Sequence, residues 1–130
     1  MTKQREIKFR VWDKKNKKWI DDIDIAINQK GLLFIRYEHQ TDFKPMSLTK
    51  SSNFEIVWFT GLHDKQGKEI YEGDRVVETD EHGNEDSGIV GFRNGAFVID
   101  WGDVGFKYFD NDSSLEILGN IYENPELINY

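Results

Sequence analysis

Hydrophobic positions alternate with polar ones in several short runs, and this period of two is typical of β-strands with one buried face. In the run "EIKFRVW", the apolar residues Ile7, Phe9 and Val11 are expected on one face of a strand. The run "WIDDIDIAI" alternates again, and the turn-forming residues of "DKKNKK" separate the two runs. The pattern therefore predicts a long β-hairpin over residues 5–27, with a basic tip.

Apolar runs bounded by turn residues predict further strands along the rest of the chain. They are "LLFIRY", "FEIVWFT", "RVVET", a short strand at 107–109, and "LEILGNIY". The segment 38–53, which contains Pro45, is predicted to be a loop. Near the end, Asn124 is a candidate N-cap and Pro125 suits the first helical position, so a short C-terminal helix is expected. The fold class predicted by these patterns is mainly β.

The run "GIVGFRNGAFVIDW" contains the clearest local signal in the chain. Two alternating apolar segments flank Asn94 and Gly95, the residue pair that a type I′ turn prefers. We therefore expect a tight hairpin with Asn94 and Gly95 at its turn.

The stretch "TGLHDKQGKEIYEGDRVV" resembles a catalytic loop at first sight, but each conspicuous residue has a structural use. Asp64 can bond to local backbone in a turn, and Gly67 can take a positive φ behind it. Gly73 suits the positive-φ position of a second turn, and Asp74 can accept bonds from unpaired amides before the next strand. A catalytic role would require a paired base, a nucleophile or an oxyanion donor, and none has a recognisable spacing here. The stretch therefore predicts two structural turns.

Composition and charge narrow the possible settings of the protein. Among 130 residues, 38% are hydrophobic and 14% are aromatic, so a packed core is expected. There is no cysteine, which excludes disulfides and thiolate chemistry, and no apolar run approaches the length that spans a bilayer. The first residues, "MTKQREIKFRVW", lack the apolar core of a signal peptide, so a cytoplasmic location without membrane contact is expected.

Three blocks of the sequence resemble the YopX-like proteins of bacteriophages and prophages. They are "REIKFRVWDKKNKKWI" at 5–20, "TGLHDKQGKEIYEGDRVV" at 60–77 and "ILGNIYENPELI" at 117–128. Mild departures from the family pattern occur at Trp19, His63 and Gln66. Together the blocks extend over nearly the whole chain, and the central block is the most specific.

The resemblance implies an all-β fold, with an SH3-like barrel in the C-terminal half and additional strands before it. On this basis we expect an N-terminal β-hairpin and meander over 1–60 and a barrel over 61–130, or a single compact unit. The resemblance also implies an origin in a phage or prophage and a location in the bacterial host. It implies no catalytic residue and no cofactor.

Candidate chemistry is sparse in the remaining sequence. The three histidines, His39, His63 and His82, show no spacing typical of zinc ligands, and no glycine-rich phosphate-binding motif is present. We therefore predict no metal, no cofactor and no enzymatic activity.

The charge is unevenly distributed and suggests where a partner could bind. Residues 1–20 contain 8 Lys and Arg against 2 Asp and Glu, a net charge of +6, whereas residues 61–130 contain 5 against 16, a net charge of −11. Complementary charge favours association between chains, so we predict a homo-oligomer or a host or phage protein as partner. The possible interaction surface consists of Trp12, Lys14, Lys15, Lys17, Lys18 and Trp19.

Nucleic acid is the alternative partner for this basic and aromatic hairpin. Positive charge beside aromatic rings is typical of proteins that bind single strands. However, the whole chain has a net charge of −7, whereas nucleic-acid-binding domains are usually basic. A third hypothesis is that the acidic surface mimics DNA and occupies a host protein. Association between protein chains is the preferred interpretation.

Overall fold

The computed structural model describes residues 6–36, 41–46, 52–109 and 114–128, and the chain is mainly β. Within these residues, twelve strands (β1 to β12) and three short 3₁₀ helices form. The strands are β1 Phe9–Asp13, β2 Lys18–Trp19, β3 Ile25–Ile27, β4 Leu33–Ile35, β5 Lys44–Met46, β6 Phe54–His63, β7 Glu69–Tyr71, β8 Asp74–Thr79, β9 Glu85–Arg93, β10 Ala96–Asp100, β11 Phe106–Tyr108 and β12 Ser114–Asn120. The 3₁₀ helices are Asp22–Asp24, Gly102–Val104 and Pro125–Ile128.

The chain forms two compact units that are interleaved in sequence. The smaller unit is Phe9–Val57, and the larger unit combines Met1–Lys8 with Trp58–Tyr130. Strand β6 contributes its first residues to the smaller unit and its remaining residues to the larger one. The larger unit is therefore discontinuous in sequence, a feature that the predicted division into 1–60 and 61–130 does not include.

In the smaller unit, β1 pairs with β2, and a separate sheet has the strand order β3-β4-β5. Val11, Leu33 and Ile35 are fully buried and form the core, because they are the apolar positions that face inward from β1 and β4. Half-buried apolar side chains, including Phe9, Ile25 and Met46, pack around them.

The predicted hairpin over residues 5–27 is wrong in its second half. Strand β2 ends at Trp19, and β3 pairs with β4 instead, placing Ile25 opposite Ile35. Asp21 causes the break, because its side chain accepts a bond from the Ile23 N–H and caps the 3₁₀ helix Asp22–Asp24.

The predicted alternation of burial along the first strand is also wrong. Val11, Trp12 and Asp13 are all buried, and Ile7 is 70% exposed. Strand β1 therefore packs on both of its faces, a situation in which alternation is no longer expected.

In the larger unit, the principal sheet has the strand order β11-β10-β9-β8-β12 and curls like half of a barrel. Strands β8, β9 and β10 follow one another as antiparallel neighbours, while β12 returns to pair with the outer edge of β8. Five apolar residues form the core: Ile70, Val76, Val90, Ile99 and Leu115.

The hairpin between β9 and β10 agrees with its sequence signal. Asn94 has a φ of 53° and Gly95 a φ of 80°, the left-handed pair of a type I′ turn. Phe97 lies directly opposite Phe92 in the register that this turn sets.

The chain after β12 forms a 3₁₀ helix, Pro125–Ile128, rather than an α-helix. Leu127 N–H donates to the Asn124 carbonyl at 3.0 Å, which is the short-range bonding of this helix type. Pro125 stands at its first position, as the sequence pattern indicates.

Candidate functional site

The tip of the β1–β2 hairpin is organised by one buried carboxylate. Asp13 Oδ1 accepts bonds from the backbone N–H groups of Lys15 (3.0 Å) and Asn16 (3.1 Å), and Oδ2 accepts one from Asn16 Nδ2 (2.8 Å). Lys17 then takes a left-handed conformation with a φ of 53°. Local bonds from an aspartate stabilise turns of this kind. Asp13 therefore holds the backbone that presents the neighbouring lysines.

The lysine tip, which we define as Lys14, Lys15, Lys17 and Lys18, is exposed at all four positions. In the described part of the chain its one ion pair joins Lys14 Nζ to Glu55 Oε2 at 3.9 Å. A pair this long between exposed side chains contributes little to stability. The lysine tip thus carries positive charge that a partner can reach.

The two tryptophans beside the lysine tip have different environments. Trp12 is 6% exposed, and its ring centroid lies 4.8 Å from that of Trp19 in an edge-on contact. The Arg10 guanidinium lies 4.0 Å from the centroid of the Trp19 ring, on the face of a half-buried side chain. Trp12 therefore contributes to packing, and the hypothesis of an interaction surface here depends on the lysines and Trp19.

Asp64 holds the loop between β6 and β7 and ties it to β12. Its Oδ1 accepts from the N–H groups of Gln66 and Lys68, both at 2.9 Å, and its Oδ2 accepts from Ile117 N–H at 3.2 Å. Burial alone raises the pKa of this carboxyl, but the three backbone donors together hold its pKa below the ordinary value. Gly67 has a φ of 85° in the same loop. This use of Asp64 is structural.

Gly73 and Asp74 form the second turn of the central motif. Gly73 has a φ of 84°, its N–H donates to the Val90 carbonyl, and its own carbonyl accepts from Ile121 N–H, each at 2.9 Å. Asp74 Oδ2 accepts from Tyr71 N–H at 2.8 Å. The turn therefore connects three segments of the larger unit through backbone bonds.

A cleft of about 800 Å³ opens in the larger unit, and we call it the aromatic cleft. Its walls come from the segment before β1, the middle of β6 and the β9–β10 hairpin. Ile7 on one wall and Phe92 on another are 70% and 56% exposed. Exposed apolar surface in a concave site indicates binding. The aromatic rings that line the cleft are Trp58, Phe59, Phe92 and Phe97.

Lys8, on the cleft wall, forms a network with two carboxylates. The Lys8 ammonium donates to Glu69 and pairs with Glu6 at 2.9 Å, and these carboxylates raise the pKa of Lys8 above its ordinary value. The hydrogen bond from Lys8 in turn lowers the pKa of Glu69. Glu72, also on the wall, accepts a bond from Trp58 N–H at 3.2 Å. With the two carboxylates of Glu69 and Glu6 and the one ammonium of Lys8, the network has a formal charge of −1.

The aromatic cleft was not predicted from the sequence. One usable signal was present, because an Asn-Gly turn fixes its flanking residues and therefore places Phe92 opposite Phe97. Their rings meet edge-on with centroids 5.1 Å apart. The opposite wall, with Ile7 and Trp58, depends on pairing between distant segments and leaves no local signal.

The described residues contain no group of three or more His, Asp or Glu side chains arranged to hold a metal ion. His39 lies outside the described residues, and His63 packs edge-on against Phe59 with centroids 5.6 Å apart. In the same part of the chain, no helix has the length and apolar character needed to cross a membrane.

These features define a small mainly β protein with an exposed aromatic cleft and a basic hairpin tip. The family model described as YopX protein matches residues 8–129, so the chain belongs to the YopX family. The resemblance found in the three sequence blocks is thereby confirmed.

A similar protein and two similar solved structures support this membership. The SPbeta prophage-derived uncharacterized protein YopX of Bacillus subtilis (strain 168) is 24% identical over 129 residues, with 92% of this chain and 94% of that protein covered. The crystal structure of protein yopX from Bacillus subtilis has a TM-score of 0.62 at 24% identity, covering 95% of this chain and 98% of that one.

A second solved structure, protein EF1440 from Enterococcus faecalis, has a TM-score of 0.57 at 23% identity. The match covers 97% of this chain and 100% of that one. At these identities the two solved structures show that the fold is shared.

Proposed function

We propose that the chain is a non-enzymatic accessory protein of a phage or prophage that works by association between protein chains, in the first instance with copies of itself. The observation that carries this proposal is the aromatic cleft, where Phe92 and Ile7 expose most of their apolar surface to solvent. Aromatic side chains in a concave, partly apolar site are typical of the anchoring positions of protein interfaces.

The setting of this function is the cytoplasm of a bacterial host. The prophage origin of the Bacillus subtilis relative supports a phage setting. A protein partner from the host or from the phage is compatible with the same surface.

The absence of enzymatic activity is part of the proposal. The conspicuous carboxylates of the central motif serve the backbone: Asp64 accepts three backbone bonds, and Asp74 accepts one from Tyr71. Carboxylates engaged in this way hold turns, which supports a structural role for the central motif.

The larger unit is best interpreted as a barrel of the SH3-like type. The meander of β8, β9 and β10, with β12 returned to the edge of β8, supports this interpretation. Folds of this type carry many unrelated functions, so the proposal of association depends on the cleft and its charges.

Sedimentation over a range of protein concentrations tests the proposal. We expect a mass that rises with concentration at about 100 mM salt. Fluorescence anisotropy with labelled single and double strands, measured in parallel, tests the alternative that the basic hairpin binds nucleic acid. A monomer at every concentration would contradict self-association, and one that binds oligonucleotides at this salt would establish the alternative.

A further inference from the structure

The aromatic cleft and the lysine tip have complementary chemistry on the same chain. The network at the cleft has a formal charge of −1, because the two carboxylates of Glu69 and Glu6 surround the single ammonium of Lys8. The lysine tip presents four ammonium groups, and the one ion pair among them within the described residues is the long Lys14–Glu55 contact. A cationic segment is therefore the partner that the cleft fits best.

The cleft already shows the contact that such a segment would make. Lys8 Nζ lies 5.6 Å from the centroid of the Phe59 ring while its charge is balanced by Glu69 and Glu6. An ammonium over an aromatic face is attracted by the negative centre of the ring. Phe92 and Phe97 offer further rings on the lining of the cleft.

We propose that the aromatic cleft receives the lysine tip of a second copy of this chain. This inference rests on the proposed function and names the two surfaces that meet in self-association. Asp13 orders the tip before binding, since its carboxylate already fixes the backbone of Lys15 and Asn16. A tip that is ordered in advance loses less conformational freedom on docking.

Two variants each remove one of the two proposed contact surfaces. The tip variant replaces Lys14, Lys15, Lys17 and Lys18 with Ser, and the cleft variant is Phe92→Ser. Each alone is expected to weaken self-association about tenfold or more, because each removes one side of the same contact. A tip with Arg at the four positions keeps the charge and is expected to associate like the wild type.

Leu118→Ser is the matched control for the cleft variant. Leu118 is 54% exposed, nearly the same as Phe92, and lies on β12 away from the cleft lining. It removes a comparable apolar side chain from the surface of the same unit, and we expect it to leave association unchanged. Ile7→Ser serves as a second cleft lesion if Phe92→Ser proves to be misfolded by circular dichroism.

An equimolar mixture of the tip variant and the cleft variant gives the decisive measurement. The tip variant retains an intact cleft and the cleft variant retains an intact tip, so the mixture can form one complete contact. We expect it to sediment faster than either variant alone at the same total concentration.

Three results would overturn the inference in different ways. Variants that associate like the wild type would leave self-association standing and assign it to another surface. A mixture that behaves as the average of its components would show that tip and cleft do not meet. A wild type that never associates would remove the proposed function as well.

Discussion

Gly73 is a residue of the larger unit at which one added carbon is expected to be costly. Its φ of 84° disfavours any side chain, and a Cβ at this position would lie 2.4 Å from Cε2 of Tyr122. We expect Gly73→Ala to lower the free energy of unfolding by about 2–4 kcal/mol, from backbone strain and from overpacking together. Chemical denaturation measures this change.

Gly83 provides the control that separates strain from packing. Its φ is 83°, almost that of Gly73, but a Cβ there meets no atom within 4 Å. Gly83→Ala should therefore lower the free energy of unfolding only by the cost of backbone strain, about 1 kcal/mol. Equal costs at the two positions would mean that Tyr122 moves aside without penalty.

Asp64 gives the larger unit a pH dependence of defined sign. The pKa of its carboxyl is lowered in the folded state. The stability that the ionised carboxylate contributes is therefore present above the ordinary pKa and is lost as the pH falls through the pKa of the folded state. Asp64→Asn should cost about 1–3 kcal/mol near pH 7, because the amide group cannot accept the bonds of both oxygens.

Denaturation at several pH values tests this prediction for Asp64. The difference in the free energy of unfolding between the wild type and Asp64→Asn is expected to be constant at neutral pH. It is expected to shrink below about pH 4. A difference that stays unchanged into strong acid would show that the charge of Asp64 is not what stabilises the loop.

At the scale of elements, the β9–β10 hairpin depends on two left-handed residues in succession. Gly95 has a φ of 80° and Asn94 a φ of 53°. Gly95→Ala is expected to destabilise the protein by about 1 kcal/mol, and Asn94→Ala by less, because asparagine already bears some of this strain. Melting temperatures of the two variants show which substitution destabilises the protein more. Equal values for both variants and the wild type would contradict the turn assignment.

Elements with local causes were predictable from the sequence, and elements with distant causes were not. The Asn94-Gly95 hairpin needs only its own residues, and it forms where the pattern placed it. The partner of β3 was mispredicted, because Asp21 interrupts the alternating run and β4 supplies the pairing. Strand β5 was predicted to be loop, since Pro45 lowers strand propensity, but proline is tolerated at the sheet edge that β5 occupies.

In the candidate site, too, features with local causes were predictable and features with distant causes were not. The exposed lysines of the hairpin tip could be identified from their run in the sequence. The aromatic cleft could not, because Ile7, Trp58 and Phe97 come together only through long-range pairing. The burial of Trp12 could not be predicted from the sequence either, because the strand that contains it packs on both faces.

At the scale of the whole molecule, the separation of charge predicts how association responds to salt. Residues 1–20 have a net charge of +6 and residues 61–130 a net charge of −11, so contacts between copies place opposite charges together. Salt screens such contacts between exposed groups. We expect association to weaken as salt rises from about 50 to 500 mM, and the four lysine-to-serine changes to flatten this dependence.

Sedimentation at a fixed protein concentration and several salt concentrations checks this prediction. Lys30→Ser is a suitable control, because Lys30 is exposed in a turn of the smaller unit outside the lysine tip. Association that strengthens with salt would indicate an apolar contact without a charged component.

The discontinuity of the larger unit has a consequence for the order in which the protein can fold during synthesis. The carbonyl of Lys8 accepts its bond from Phe59 N–H at 3.0 Å, and the intervening residues 9–57 constitute the smaller unit. The nascent chain therefore releases Ile7 and Lys8 from the ribosome well before their partner strand. The smaller unit can assemble its core of Val11, Leu33 and Ile35 before that first segment has a partner. The segment pairs when β6 emerges, and the cleft is completed only after the β9–β10 hairpin has followed.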